Sequence, residues 1–190
     1  LPILPMVSPL SPIITEIFMS EFEQNALKSA PFQPFCWYRK VDDVFTVLNE
    51  RDDPQVLLNH LNSLNPHLQF TMEKENEGKL PFLDVLISKL SDKLETQVYR
   101  KPTHTDQYLH WNSNHSNSVK EGIIATLTRR AKNVCSSQPA LEEELHHLKK
   151  VFTEQNGYPN KVVQKVINRT IKTLENKSDP KPAVQPLLFS

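Results

Sequence analysis

The distribution of proline is the feature that most constrains the fold of this chain. The 190 residues include 15 Pro and only 3 Gly. Because proline has no N–H group and a fixed φ angle, it is tolerated in the first turn of a helix but not in its interior. Four prolines exclude a regular helix over residues 1–12: Pro2, Pro5, Pro9 and Pro12. The presence of only three glycines also excludes a dinucleotide-binding fingerprint, a Walker phosphate-binding loop and a collagen repeat.

A helix with one apolar stripe is predicted directly after this proline-rich start. Ser11 followed by Pro12 has the order of a helix cap and a first helical residue. Pro31 and Pro34 predict its end. Six apolar residues recur at spacings near three and four, which indicates a single helical face: Ile13, Ile14, Ile17, Phe18, Phe22 and Leu27.

Short strands are predicted across the middle of the chain. Residues 35–39 and 44–48 are aromatic and β-branched, which is typical of a hairpin, and its turn carries Asp42 and Asp43. Asp53 and Pro54 predict the start of a short helix. Alternation of apolar and polar residues predicts one strand at 68–72 and a strand pair at 80–90 and 94–100.

Three amphipathic helices are predicted after a polar loop at 101–117. They are expected at about 118–134 and 139–155 and from Pro159 onward, with Asn156-Gly157 ending the second helix. Residues 177–190 form a Pro-rich tail. The chain therefore reads as α+β, with antiparallel strands and helices followed by a three-helix bundle.

Charge is distributed unevenly along a chain that is neutral overall. Residues 1–119 carry 10 Lys+Arg against 15 Asp+Glu, whereas residues 120–178 carry 11 against 6. On the third helix of the bundle, Lys161, Lys165 and Arg169 recur at i, i+4 and i+8, opposite the apolar residues. Such a stripe can follow a phosphate backbone. The alternative is an ordinary solvated helix face.

Asp42 and Asp43 are the strongest candidates for a metal-binding catalytic site in this sequence. Adjacent carboxylates at a hairpin turn can face one Mg²⁺ ion, because hard cations prefer oxygen ligands. Two-metal phosphoryl transfer needs at least one further carboxylate from another strand. The alternative interpretation is a solvated acidic turn.

Several short motifs follow one another along the chain: Pro5 to Pro12, Trp37 to Phe45, Leu80 to Asp84, Tyr99 to Thr103, Asn112 to His115 and Phe152 to Pro159. In this order they resemble the second half of a reverse transcriptase palm, specifically that of Penelope-like retroelements. The resemblance covers roughly residues 4 to 175. It implies a partial palm at 1–100, a loop at 101–117 and a three-helix thumb, or helix-turn-helix domain, at 118–176.

The resemblance also implies roles for individual residues. Asp42 would bind the catalytic metal with Asp43 in support, and Mg²⁺ would be the cofactor of the intact parent enzyme. Ser8 and Pro9 would lie beneath the template and incoming nucleotide, and Leu83 and Asp84 near the primer grip. The basic residues Lys161, Lys165 and Arg169 would contact an RNA or DNA primer–template.

The strand that bears the other metal-binding Asp in this family would precede Leu1, together with the rest of the palm and the fingers. We therefore expect a fragment of an RNA-directed DNA polymerase that is inactive alone. Two alternatives remain: a non-catalytic, nucleic-acid-binding helix-turn-helix module, or a degenerate transposon relic. Two Cys and the absence of a long apolar run favour an intracellular, nuclear protein without a membrane span.

Overall fold

The computed structural model describes residues 9–91 and 93–176 and has a mixed α+β fold. The chain divides into two compact units, Leu1–Glu73 and Lys74–Ser190. Within the described residues, no helix is both long enough and apolar enough to cross a membrane. The elements in chain order are α1 (Ser11–Lys28), β1 (Cys36–Lys40), β2 (Asp43–Val47), α2 (Pro54–Leu64), β3 (Lys79–Phe82), β4 (Val85–Lys89), β5 (Leu94–Val98), α3 (Asn117–Val134), α4 (Gln138–Lys150), a π-helical turn (Val151–Gln155) and α5 (Asn160–Glu175).

The first unit contains the predicted hairpin. β1 and β2 are antiparallel, with Lys40 opposite Asp43 across the turn. Arg39 ties the hairpin to α1: its Nε lies 2.8 Å from Glu23 Oε1, and its Nη2 lies 2.9 Å from Glu16 Oε1. A small core of Ala26, Leu57 and Leu61 lies between α1 and α2.

Helix α1 is confirmed, with Leu10 rather than Ser11 at its N-cap, but the first half of its apolar stripe is exposed. Ile13 and Ile17 are 58% and 64% exposed. Burial begins only further along, where Phe22 stacks on Phe70 with ring centroids 5.9 Å apart. The described residues of this unit therefore cover only the C-terminal half of the stripe.

The strand predicted at 68–72 does not form. The side chain of Asn62 takes the place of a neighbouring strand, because its Oδ1 accepts from Phe70 N at 2.7 Å and its Nδ2 donates to Phe70 O at 3.1 Å. Both backbone groups of Phe70 are thus satisfied without a sheet. The apolar alternation reflects Phe70 packing against the core rather than pairing.

The second unit begins with a three-stranded antiparallel sheet in the order β3-β4-β5. The apolar alternation predicts one strand over 80–90, but a turn at Leu83 splits it into β3 and β4. Leu83 has a φ of 54°, a left-handed conformation that interrupts a strand. The outer edge of β5 is closed by the linker after α3: Ser136 N donates to Thr96 O at 2.9 Å, and Thr96 Oγ1 donates to Val134 O at 2.6 Å.

The helical part of this unit agrees closely with the prediction. Its core consists of one apolar face from each helix and a tyrosine at the start of the last one: Ile124, Leu148, Phe152, Tyr158, Val163, Val166 and Ile167. The second helix departs from prediction at its end, where Val151–Gln155 is a π-helical turn. Gly157 follows with a φ of 72°, as expected for a residue that stops a helix.

Candidate nucleic-acid interface

Helix α5 separates a buried apolar face from an exposed basic one. Val163 and Val166 are 0% and 1% exposed, so this face is part of the core. Lys161, Lys165 and Arg169 are all exposed, as predicted. With 100° between successive residues they lie within an arc of about 80°, and Lys172 lies inside the same arc. We call these four residues the basic face of α5.

The lysines of the basic face are not neutralised by neighbouring acids. Among the described residues, no carboxylate lies within 4.0 Å of Lys161, Lys165 or Lys172. Arg169 differs, because its Nη2 lies 3.3 Å from Glu121 Oε2 on α3. Glu121 would therefore compete with any phosphate that approaches Arg169, while the three lysines are available for an anionic partner.

The basic residues at the end of α3 do not act as a group. Arg129 is exposed, but Arg130 turns inward and its Nη2 donates to the backbone oxygens of Asp84 at 3.3 Å and Tyr99 at 3.5 Å. Arg130 thus holds the β3–β4 turn, close to the carboxylate of Asp84 at 3.5 Å. The guanidinium group of Arg130 is therefore engaged in contacts within the protein rather than presented to an external ligand.

Asn156 is a fold-determining residue whose wider role sequence reasoning missed. It is 3% exposed, and its Oδ1 accepts from Tyr108 N at 2.8 Å. Its Nδ2 donates to Asp106 O and to Val151 O, both at 3.1 Å. One side chain therefore joins the loop before α3 to the π-helical turn. The Asn-Gly pair signalled only the end of a helix.

A partly buried charge network ties the end of β5 to α4. Arg100 makes a two-point contact with Glu144, with Nη2 to Oε1 at 2.6 Å and Nη1 to Oε2 at 2.8 Å. Asp106 lies beside it, 3.4 Å from Arg100 Nε and 3.1 Å from both His104 Nε2 and His147 Nε2. No local pattern could have indicated this network, because Arg100 and Glu144 are 44 residues apart.

Asp42 and Asp43 lie where the sequence places them, at an exposed hairpin turn. The residue before them, Val41, has a φ of 57°, which is unusual for a β-branched side chain. Within residues 9–91 and 93–176, no group of three or more His, Cys, Asp or Glu side chains is arranged to hold a metal ion. A third carboxylate ligand for this pair is therefore not found in the described part of the chain.

Ser8 and Pro9, which are predicted to lie beneath the template, precede α1 in the sequence. Pro9 is exposed in the turn that precedes the helix. Ser8 lies outside the described residues. The structure does not bring Pro9 together with the basic face of α5 in one unit, because the two belong to different compact units.

The loop, the three helices and the π-helical turn together define a small helical domain with one basic face. An animal helix-turn-helix domain is found here: its family model matches residues 107–168. The match includes Lys161 and Lys165 and ends one residue before Arg169. No curated protein and no solved structure matches the chain.

Proposed function

We propose that the helix-turn-helix region binds nucleic acid through the basic face of α5. The observation that carries this proposal is a set of exposed lysines on one helix of that region, for which the described part of the chain provides no carboxylate partner. Lysine ammonium groups bind phosphates as point charges and carry little base information. The expected partner is therefore a phosphate backbone, bound with little sequence preference.

The salt dependence of binding provides a quantitative test. Each phosphate neutralised contributes roughly 0.9 to the slope of log affinity against log salt on duplex DNA. Replacing Lys161, Lys165 and Arg169 with Ala should flatten the slope by about two to three units, and by less if Glu121 keeps Arg169 engaged. The helical circular dichroism should not change, because none of the three residues belongs to the core.

A control with equal loss of charge separates a site from net charge. Lys74, Lys79 and Lys89 are exposed and lie outside the helices. Their triple Ala variant should keep the parental slope in a titration against a primer–template duplex. Equal flattening in both triple variants would mean that only net charge matters, and unchanged slopes in both would mean that α5 presents an ordinary solvated face.

A second candidate function is favoured by the hairpin. We propose that the chain is the C-terminal palm and thumb of a Penelope-like reverse transcriptase, in which Asp42 and Asp43 bind Mg²⁺ together with an Asp from another strand of the palm. Two adjacent carboxylates at an exposed turn, next to a residue in a strained conformation, support this proposal. In the bound state Mg²⁺ would stabilise charge on the transferred phosphoryl group.

Complementation tests this second candidate. The chain alone should give no primer extension with Mg²⁺ or Mn²⁺. Addition of the palm and fingers segment of a related element should give extension. Asp42→Asn should abolish this activity, while Glu50→Gln, at an exposed acid, should not. Template-dependent extension by the chain alone that survives Asp42→Asn would contradict the assignment.

A further inference from the structure

A groove of about 710 Å³ runs between α4 and the C-terminal half of α5. Its floor is aliphatic and consists of Leu145, Ile167 and Ile171. Ile167 is only 4% exposed, so it forms the base of the groove. An aliphatic base can pack against the flat face of a nucleobase or against the apolar side of a helix, so the rims decide between these two ligands.

The rims of the groove carry two lysines, one acid and several amides. His146 and Lys149 line it from α4, and Lys172 and Glu175 line it from α5, so the lysines outnumber the carboxylate. Gln164 and Asn168 lie on the same wall as Lys172, with Gln164 Nε2 donating to Asn168 Oδ1 at 2.9 Å. Amide side chains can donate to and accept from the edges of nucleobases. The rims therefore supply both phosphate contacts and base contacts.

We propose that this groove holds an unpaired nucleic-acid strand, with bases over the aliphatic floor and phosphates on the rims; this inference rests on the proposed function of the helix-turn-helix region. Lys172 belongs both to the groove and to the basic face of α5, so a backbone that follows Lys161 and Lys165 arrives at the groove. The helical rise places Lys161 and Lys172 about 16 Å apart along the axis.

An unpaired strand fits better than a duplex. In a duplex the faces of the bases are hidden in the stack, whereas an unpaired strand exposes them to a protein surface. Only base faces that are exposed in this way can pack against the aliphatic floor of the groove. The groove should therefore add affinity for a single strand and none for a duplex.

The test uses the full chain and fluorescein-labelled probes: 12-nucleotide oligo-dT, 12-nucleotide oligo-U and a 12-base-pair hairpin duplex. Gln164→Trp fills the groove from its wall, and Lys149→Gln removes one rim charge. Each should weaken binding to the single strands by about 3-fold to 10-fold, the range expected for one phosphate or base contact. Duplex affinity should stay within about two-fold of the parent.

A matched control is provided by the next residue of α4. Lys150 is exposed and does not line the groove, so Lys150→Gln should leave all three affinities within about two-fold. Helical circular dichroism confirms that each variant is folded. If the variants weaken the binding of oligo-dT and oligo-U alike, the groove recognises a feature shared by DNA and RNA, and this result supports the proposal.

Three results would overturn the proposal. If Gln164→Trp and Lys149→Gln do not change single-strand binding, the groove is not used. The proposed function would still stand if the triple Ala variant of Lys161, Lys165 and Arg169 weakened duplex binding. Equal losses on strand and duplex show that the groove does not select unpaired bases. An acidic amphipathic peptide can be titrated in the same way. If Gln164→Trp releases this peptide but does not change oligonucleotide binding, the groove is assigned to a protein partner.

Discussion

The two glycines of the helical part should respond in opposite directions to the same substitution. Gly157 has a φ of 72°, and a Cβ placed on it would lie 2.8 Å from His110 Nε2 and 3.0 Å from His110 Cε1. Gly122 lies inside α3, and a Cβ there would meet no atom within 4 Å. Gly157→Ala therefore adds a strained backbone and a clash, whereas Gly122→Ala only lowers the entropy of the unfolded chain.

The magnitudes follow from these two environments. A left-handed conformation costs an L-residue about 1–2 kcal/mol, and the His110 ring must also move, which breaks its contact with Asn112 N at 3.2 Å. We expect Gly157→Ala to lower the free energy of unfolding by about 2–3 kcal/mol. Gly122→Ala should raise it by about 0.5–1 kcal/mol, the difference in helix propensity.

Urea unfolding followed by tryptophan fluorescence measures both changes. Trp37 and Trp111 are the two indoles of the chain, so a Trp37→Phe background leaves Trp111 as the reporter of the second unit. A Gly157→Ala variant as stable as the parent would refute the argument, because it would mean that neither the left-handed backbone nor the contact with His110 constrains this turn. A destabilised Gly122→Ala would contradict the open environment described for α3.

Two further predictions concern ionisable groups of the second unit. Glu144→Ala leaves Arg100 with only Asp106, and because the side chains of Arg100 and Glu144 are 22% and 10% exposed, we expect a loss of about 2–4 kcal/mol in urea unfolding. Glu143→Ala, at an exposed neighbour, should change stability by less than about 0.5 kcal/mol, and similar losses in both variants would contradict the role of the Arg100–Glu144 pair. Burial raises the pKa of the Tyr158 phenol, so its contribution to stability should be intact below the usual tyrosine pKa of about 10 and fall as the pH rises beyond it. Tyr158→Phe, which also loses the bond from the hydroxyl to Leu109 O, should be less stable at neutral pH but should show a smaller further loss in alkaline unfolding; an unchanged alkaline loss would refute the assignment to Tyr158.

The helices near the C-terminus could be predicted within a residue or two because local chemistry marks their ends. Pro139 and Pro159 lie at or next to helix starts, and Gly157 takes the left-handed conformation of a helix stop. The apolar faces also agree, since Ile124, Leu148 and Val163 are all buried. The π-helical turn could not be predicted, because its apolar spacing continues that of α4. The turn includes a hydrogen bond from Asn156 N to Val151 O at 3.2 Å, which leaves no pattern in the sequence.

Non-local interactions explain what could not be predicted. Asn62 replaces a strand partner for Phe70, and Arg130 holds the turn that divides 80–90 into two strands. Neither contact leaves a periodic signal. For the candidate site, periodicity predicted the exposure of Lys161, Lys165 and Arg169, but it could not reveal that Arg169 has Glu121 as a partner 48 residues away. The nucleic-acid role of these residues and the metal role of Asp42 and Asp43 remain predictions.

The closure of the β5 edge has a consequence for self-association. An open strand edge presents unpaired N–H and C=O groups that can recruit another chain and start aggregation. Here the linker between α3 and α4 occupies that edge through Ser136 and Thr96. At the opposite side of the sheet, β3 carries Pro81, which has no N–H to offer. Local opening of the α3–α4 linker, rather than global unfolding, would therefore be the step that exposes this sheet to strand exchange with another copy of the chain.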